Sequence, residues 1–358
     1  MINNQNQLQV LPPPKKRERR FLLWLGRIVA GIVILSLIGA VFESVSEAAD
    51  TRTYPPPGQM VDVGGYRLHI YCTGTGSPTV VIDAGLGDWS TAWGFVQTEV
   101  AKTTRVCTYD RAGSGWSESG PLPRDASQFV NELHTLLQKA NLPGPFILVG
   151  HSLGGLPVRV FTDDHPSEVA GVVLIDSMYP GQQITIQTHA LSPLPVLGRF
   201  GIVRVLAKLI GIVPDVSPAE KASYAFIVSP KFLQALADES KGISDSLSQA
   251  GAVKSFGDIP LIVLSRGLDQ NSDWQAGQAE LLQLSTNSQQ LFAEKSGHNI
   301  ELDQPEAAVG AIVKMVQISR ERQEGSLLSF YGMGRSVQMQ TYRQATWKGR
   351  LPLISFQP

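Results

Sequence analysis

The chain is expected to be an α/β protein: a mostly parallel sheet of eight strands with helices on both faces, a helical cap between the sixth and seventh strands, and one apolar helix ahead of the sheet. Three observations carry that expectation. From residue 59 onward, short runs rich in Val and Ile alternate with longer helical patterns. Between the sixth and seventh runs lie about 80 residues of helix-forming pattern, more than a crossover needs. Residues 21–42 are apolar apart from Arg27 and Ser36, long enough to cross ~30 Å of hydrocarbon as a helix.

The strands are predicted at 60–63, 66–72, 79–84, 105–109, 146–149, 171–175, 260–264 and 289–294. Val63-Gly64-Gly65-Tyr66 supplies a turn that makes the first two a hairpin ahead of the parallel part. The cap spans about 178–256. Its stretch from Leu191 to Pro214 is apolar with Arg199, Arg204 and Lys208 interspersed. Such a stretch lines a lipophilic pocket or rests on a membrane surface, or it is a helix pair packed on the main domain, since any cap must bury one face.

At the N-terminus, residues 1–20 form a basic tail ending in Lys15-Lys16-Arg17-Glu18-Arg19-Arg20. Basic residues before the apolar run and Glu43, Glu47 and Asp50 after it place the N-terminus in the cytoplasm and the larger domain outside it, because Lys and Arg near a span resist translocation. Arg27 lies near the cytoplasmic end, where it can snorkel to the head groups. The length of the run favours an uncleaved anchor. The competing reading is a secreted chain with a cleaved signal peptide, for which Ser46-Glu47-Ala48 offers a small-x-small site. A buried core helix fits poorly, because the Pro-rich linker at 43–58, with Pro55-Pro56-Pro57-Gly58, separates the run from the fold.

Composition narrows the function classes. A formal net charge of -1, with no basic face outside the N-terminus, removes nucleic acid as an expected partner. Hydrophobic content of 43% against 17% charged residues indicates a packed core rather than long disorder. Cys72 and Cys107 lack metal-ligand spacing, so no metal is expected. They fall in two predicted strands that would be neighbours. A cross-strand disulfide outside the cytoplasm and a pair of buried thiols are both open.

The chemistry is concentrated in a few motifs. Phe146-Ile147-Leu148-Val149 runs into Gly150-His151-Ser152-Leu153-Gly154 and then into a helical pattern, the strand-turn-helix context that holds a nucleophilic serine in strained geometry above a sheet. Ser152 is therefore the candidate nucleophile. Of six histidines, His298 in Ser296-Gly297-His298 directly follows the last strand and is the candidate base. Two carboxylates qualify as its partner: Asp176, ending the sixth strand, and Asp269, five residues beyond Leu264. The structural alternatives are a turn-capping role for Asp176 and a solvated loop for Asp269. The oxyanion donors are expected to be the N–H groups of Leu153, after the nucleophile, and Leu86, in Asp83-Ala84-Gly85-Leu86-Gly87-Asp88. No Gly-Lys-Ser/Thr follows that glycine loop, which argues against nucleotide.

With these motifs in hand, together with Tyr109-Asp110-Arg111-Ala112-Gly113-Ser114-Gly115-Trp116-Ser117, Val173-Leu174-Ile175-Asp176-Ser177 and Asp303-Gln304-Pro305, residues 59–318 resemble the α/β-hydrolase superfamily and, within it, a bacterial group of hydrolases. The resemblance implies an α/β-hydrolase sheet and a cofactor-free serine hydrolase acting on a small acyl substrate. It implies that Asp110 and Arg111 tie a loop together, and it tips the choice of acid to Asp176. A cofactor-free peroxidase or C–C bond hydrolase on the same residues, and a membrane-tethered binding protein on the same scaffold, are the alternatives. Residues 319–358 form a tail outside the resemblance.

Overall fold

The computed structural model describes residues 16–182, 191–211 and 218–330. Helix α1 (Lys16–Thr53) precedes strands β1 (Gln59–Asp62), β2 (Arg67–Thr73) and β3 (Thr79–Asp83). After α2 (Gly94–Val100) come β4 (Val106–Tyr109), α3 (Ala126–Lys139), β5 (Phe146–His151), α4 (Gly155–Asp164) and β6 (Val169–Ile175). The cap contributes α5 (Leu194–Arg199), α6 (Ile202–Leu209), α7 (Pro218–Ile227) and α8 (Pro230–Ala252). The chain then forms β7 (Leu261–Arg266), α9 (Ser272–Leu281), β8 (Ser288–Ala293), α10 (Ile300–Asp303) and α11 (Pro305–Phe330).

All eight predicted strands form, within two residues of their expected bounds, in one sheet of order β1-β2-β4-β3-β5-β6-β7-β8. β1–β2 and β2–β4 are antiparallel and every later pairing is parallel. The hairpin turn holds because Gly64 and Gly65 take φ of 133° and 99° while the Asp62 carboxylate accepts both their N–H groups. The central strands are apolar on both faces because both faces are covered. Val81, Leu148, Leu174 and Val263 point into one core with α3, α4 and α9. Their neighbours Ile82, Val149, Val173 and Ile262 point into a second core with α2 and α11. Local caps start the helices: Asp125 for α3, Ser229 ahead of Pro230 for α8, and Asn271 for α9 each accept a backbone N–H of the first turn.

Two local expectations change, and one open choice closes. The 43–58 segment is not a spacer throughout, because α1 continues to Thr53. Its last turns are docked: Arg204 of α6 pairs with Glu43 and Asp50, and Trp116 Nε1 donates to the Tyr54 carbonyl. Nor does the ordered domain stop at residue 318. Helix α11 runs on to Phe330, with Arg320 donating to the carbonyls of Ser77 and Thr103. Residues 331–358 of the expected tail lie outside the described residues. Finally, Cys72 and Cys107 face each other across β2 and β4 and form a disulfide.

Candidate active site

In the parallel part of the sheet, β3 is flanked by β4 on one side and β5 on the other, so successive connections leave in opposite directions and open a crevice at the strand ends. The loop after β3 and the turn after β5 both lie there. Ser152 occupies that turn with φ of 51°, a left-handed conformation that a non-glycine residue holds only when its surroundings enforce it. The enforcement is steric. A Cβ on Gly150 would sit 2.6 Å from the Gly155 Cα, one on Gly154 would strike the carbonyls of Asp83 and Ala84, and one on Gly155 would strike Ser177 Oγ. Three glycines therefore let β5, the elbow and the β3 loop pack together.

The Ser152 hydroxyl lies 2.9 Å from His298 Nε2, and His298 Nδ1 lies 2.6 Å from Asp176 Oδ2. His298 sits on the loop after β8, its ring against the edge of Trp274. Asp176 directly follows β6, has φ of 39°, and is fully buried. Besides His298, its carboxylate accepts from Trp274 Nε1 at 3.0 Å and from the Arg266 backbone N–H at 3.2 Å, with the Arg266 guanidinium at 3.3 Å. Asp269, the alternative carboxylate, also has a left-handed backbone but is exposed and makes no hydrogen bond or ion pair to His298. Trp274 and Arg266 were not foreseen. Only proximity in space distinguishes them from other residues after β7.

The expected oxyanion donors flank the serine. Leu153 follows it in the elbow, and Leu86 lies in the turn after β3, where a Cβ on Gly85 would be 3.4 Å from Ser152 Cβ. Arg111 fixes that turn. Its guanidinium donates to Asp83, to the carbonyls of Ala84 and Gly85, and to Glu239 of cap helix α8. One buried side chain thus joins the loop, the sheet and the cap. Asp110 binds His69 Nδ1 and the backbone N–H groups of Ser90 and Trp116, the loop-tying role expected of it.

Beneath the serine lies a second polar group that sequence reasoning missed. His151 donates from Nε2 to the His298 carbonyl at 3.0 Å, and Glu301 Oε2 lies 3.6 Å from the same nitrogen. Asp88 Oδ2, His151 Nδ1 and Glu301 Oε2 are buried without hydrogen-bond partners. Burial pushes the Glu301 carboxyl up to about 8, with Asp88 adding to the effect, and pushes Asp88 up to about 6. Burial also lowers His151 to about 4, the nearby His298 contributing. Ligand-type atoms of these three residues come within 4.8 Å of one another, as do those of the half-buried His134, His165 and Glu168. Of the second group, His134 is bonded to Glu168. His189 lies outside the described residues.

The sequence model of the alpha/beta hydrolase fold matches residues 78–196. Uncharacterized protein YbdG of Bacillus subtilis (strain 168) is 24% identical over 48% of this chain, and the chain spans only 53% of that protein's length. An AB hydrolase superfamily protein of Gibberella zeae is 26% identical over 68% of this chain and 87% of its own. A thermophilic esterase from Thermogutta terrifontis superposes with a TM-score of 0.58 at 20% identity, covering 73% of this chain and 98% of the esterase. The chain has the α/β-hydrolase fold. Likeness at such identity shows the fold alone.

Proposed function

We propose that the chain is a membrane-anchored serine hydrolase that cleaves an ester or related acyl bond of a small hydrophobic substrate. The carrying observation is the continuous hydrogen-bonded line from Ser152 Oγ through His298 to buried Asp176. His298 Nε2 takes the hydroxyl proton as Ser152 Oγ attacks the carbonyl carbon. Asp176 holds the Nδ1–H tautomer and stabilises the imidazolium. The N–H groups of Leu86 and Leu153 receive the developing oxyanion, His298 returns the proton to the leaving group, and water releases the acid by the reverse steps. No step draws on a cofactor.

Helix α1 is long and apolar enough to cross a membrane, and its apolar side chains from Phe21 to Val41 are exposed rather than packed in a core. That exposure supports an anchor over a core helix. The Cys72–Cys107 disulfide supports a domain outside the cytoplasm, where disulfides persist.

Labelling of the full chain with a fluorophosphonate probe tests the nucleophile. The wild type is expected to label and Ser152→Ala to lose the label entirely. A folded wild-type protein that never labels would return the chain to the binding-protein reading. Rates on a series of p-nitrophenyl esters test the substrate class, and equal rates for short and long acyl chains would remove the hydrophobic preference.

A further inference from the structure

Helix α6 and its C-terminal cap residue expose Ile202, Val205, Leu206, Leu209 and Ile210, with Leu206, Leu209 and Ile210 51%, 75% and 69% accessible. The spacing i, i+3, i+4, i+7, i+8 puts all five on one helical stripe. Its opposite side is occupied: Ala207 is buried, Val203 packs with Phe226 and Phe232, and Arg204 reaches Glu43 and Asp50 of α1. The outward stripe is exposed among the described residues.

The position of this stripe relative to α1 identifies its occupant. The turn between α5 and α6 rests on α1, with Gly39 beneath the Phe200 carbonyl and Gly201 beside the Phe42 ring. At 1.5 Å per residue, Gly39 lies ~27 Å and Phe42 ~32 Å along the helix from Phe21, where the apolar run begins. A bilayer's hydrocarbon is ~30 Å thick. A turn seated on Gly39 and Phe42 therefore stands at the outer boundary of the hydrocarbon, and the helix that leaves it begins at the same level. The charges agree with this depth. Glu43 and Asp50 both pair with Arg204 on the protein side of α6, while Arg199 and Lys208 remain exposed near the stripe, where lipid phosphates would meet them.

We propose that α6 is a lipid-docking element, its Ile202–Ile210 stripe inserted in the outer leaflet of the bilayer that α1 spans. This rests on the anchor reading of α1 and deepens the functional one. The cap helix that docks on lipid is joined to the α8 helix whose Glu239 is tied through Arg111 to the oxyanion loop. The cap thus faces the leaflet, and the substrate class is an amphiphilic ester drawn from the membrane rather than from bulk water.

The test uses the full chain reconstituted in phosphatidylcholine–phosphatidylglycerol vesicles. Single-cysteine variants Leu206→Cys, Leu209→Cys, Leu35→Cys and Phe95→Cys carry an environment-sensitive fluorophore; the two native cysteines are held in their disulfide. Phospholipids bearing a quencher on the acyl chain provide the readout. Positions 206 and 209 are expected to be quenched at least threefold more than Phe95, an exposed residue of α2, with Leu35 quenched as strongly as a spanning site. Quenching at 35 without quenching at 206 and 209 would overturn the docking proposal while leaving the anchor intact. No quenching at 35 would overturn the anchor reading, and the docking proposal with it. If position 206 were shielded from aqueous iodide yet unreachable by the lipid quencher, a second copy or another segment of the chain would cover the stripe, and the proposal would fall.

Discussion

Replacing Glu301 by Gln should abolish a loss of stability that the wild type shows as pH rises from 6.5 to 8. In the folded chain the Glu301 carboxyl is pushed up to about 8 by burial and by nearby Asp88, against an ordinary 4.5. Between those values the folded state holds a proton that the unfolded state has released, so stability falls as pH rises; it is fully present below 4.5 and lost through 8. His151 and Asp88 act in opposite senses below 6.5. His151, lowered to about 4, gains stability with rising pH, whereas Asp88, raised to about 6, loses it. Above 6.5 Glu301 acts alone among the three. One proton over that window, tapering as pH nears 8, amounts to about 1.5 kcal/mol. For a domain of this size that is roughly 2–4 °C in Tm. Thermal unfolding at constant ionic strength across the window, with and without a chelator, is the assay. A flat wild-type profile, or an equal slope in Glu301→Gln, would refute the reasoning. A chelator-sensitive Tm that is restored by a divalent cation would show a metal, not protons, between Asp88, His151 and Glu301.

Asp176→Asn should lower ester turnover by about 10³–10⁴ because His298 loses the carboxylate that holds its Nδ1–H, whereas Asp269→Asn should stay within about threefold; circular dichroism checks that the buried substitution still folds, and the reverse ranking would transfer the acid role to Asp269. Reducing the Cys72–Cys107 bond, which closes a separation of 35 residues, should cost about 2–4 kcal/mol in urea unfolding, and an unchanged midpoint with confirmed free thiols would contradict it.

Much of the architecture was legible in the chain because it is written locally. A parallel strand covered on both faces is a short apolar run, as β3, β5, β6 and β7 are, and the Gly64-Gly65 turn marked the hairpin of β1 and β2. Ser152 was legible because the elbow imposes glycines within four residues of the nucleophile, and His298 because its loop directly follows the last strand. The acid was not. Asp176 and Asp269 each follow a strand, and nothing along the chain reveals that one carboxylate is buried beneath Trp274 and Arg266 while the other faces solvent.

The sequence by itself determined the sheet and marked Ser152 and His298 as the candidate nucleophile and base, since each depends on residues near one another along the chain. The tertiary structure alone decided which carboxylate meets His298, that Arg111 reaches Glu239 across 128 positions, and that Arg204 reaches Glu43 across 161. It also closed the cysteine pair and seated the end of α1 on the cap. These partners are brought together by packing of the two cores, and a buried charge finds its counter-charge wherever the folded chain places one, irrespective of distance along it.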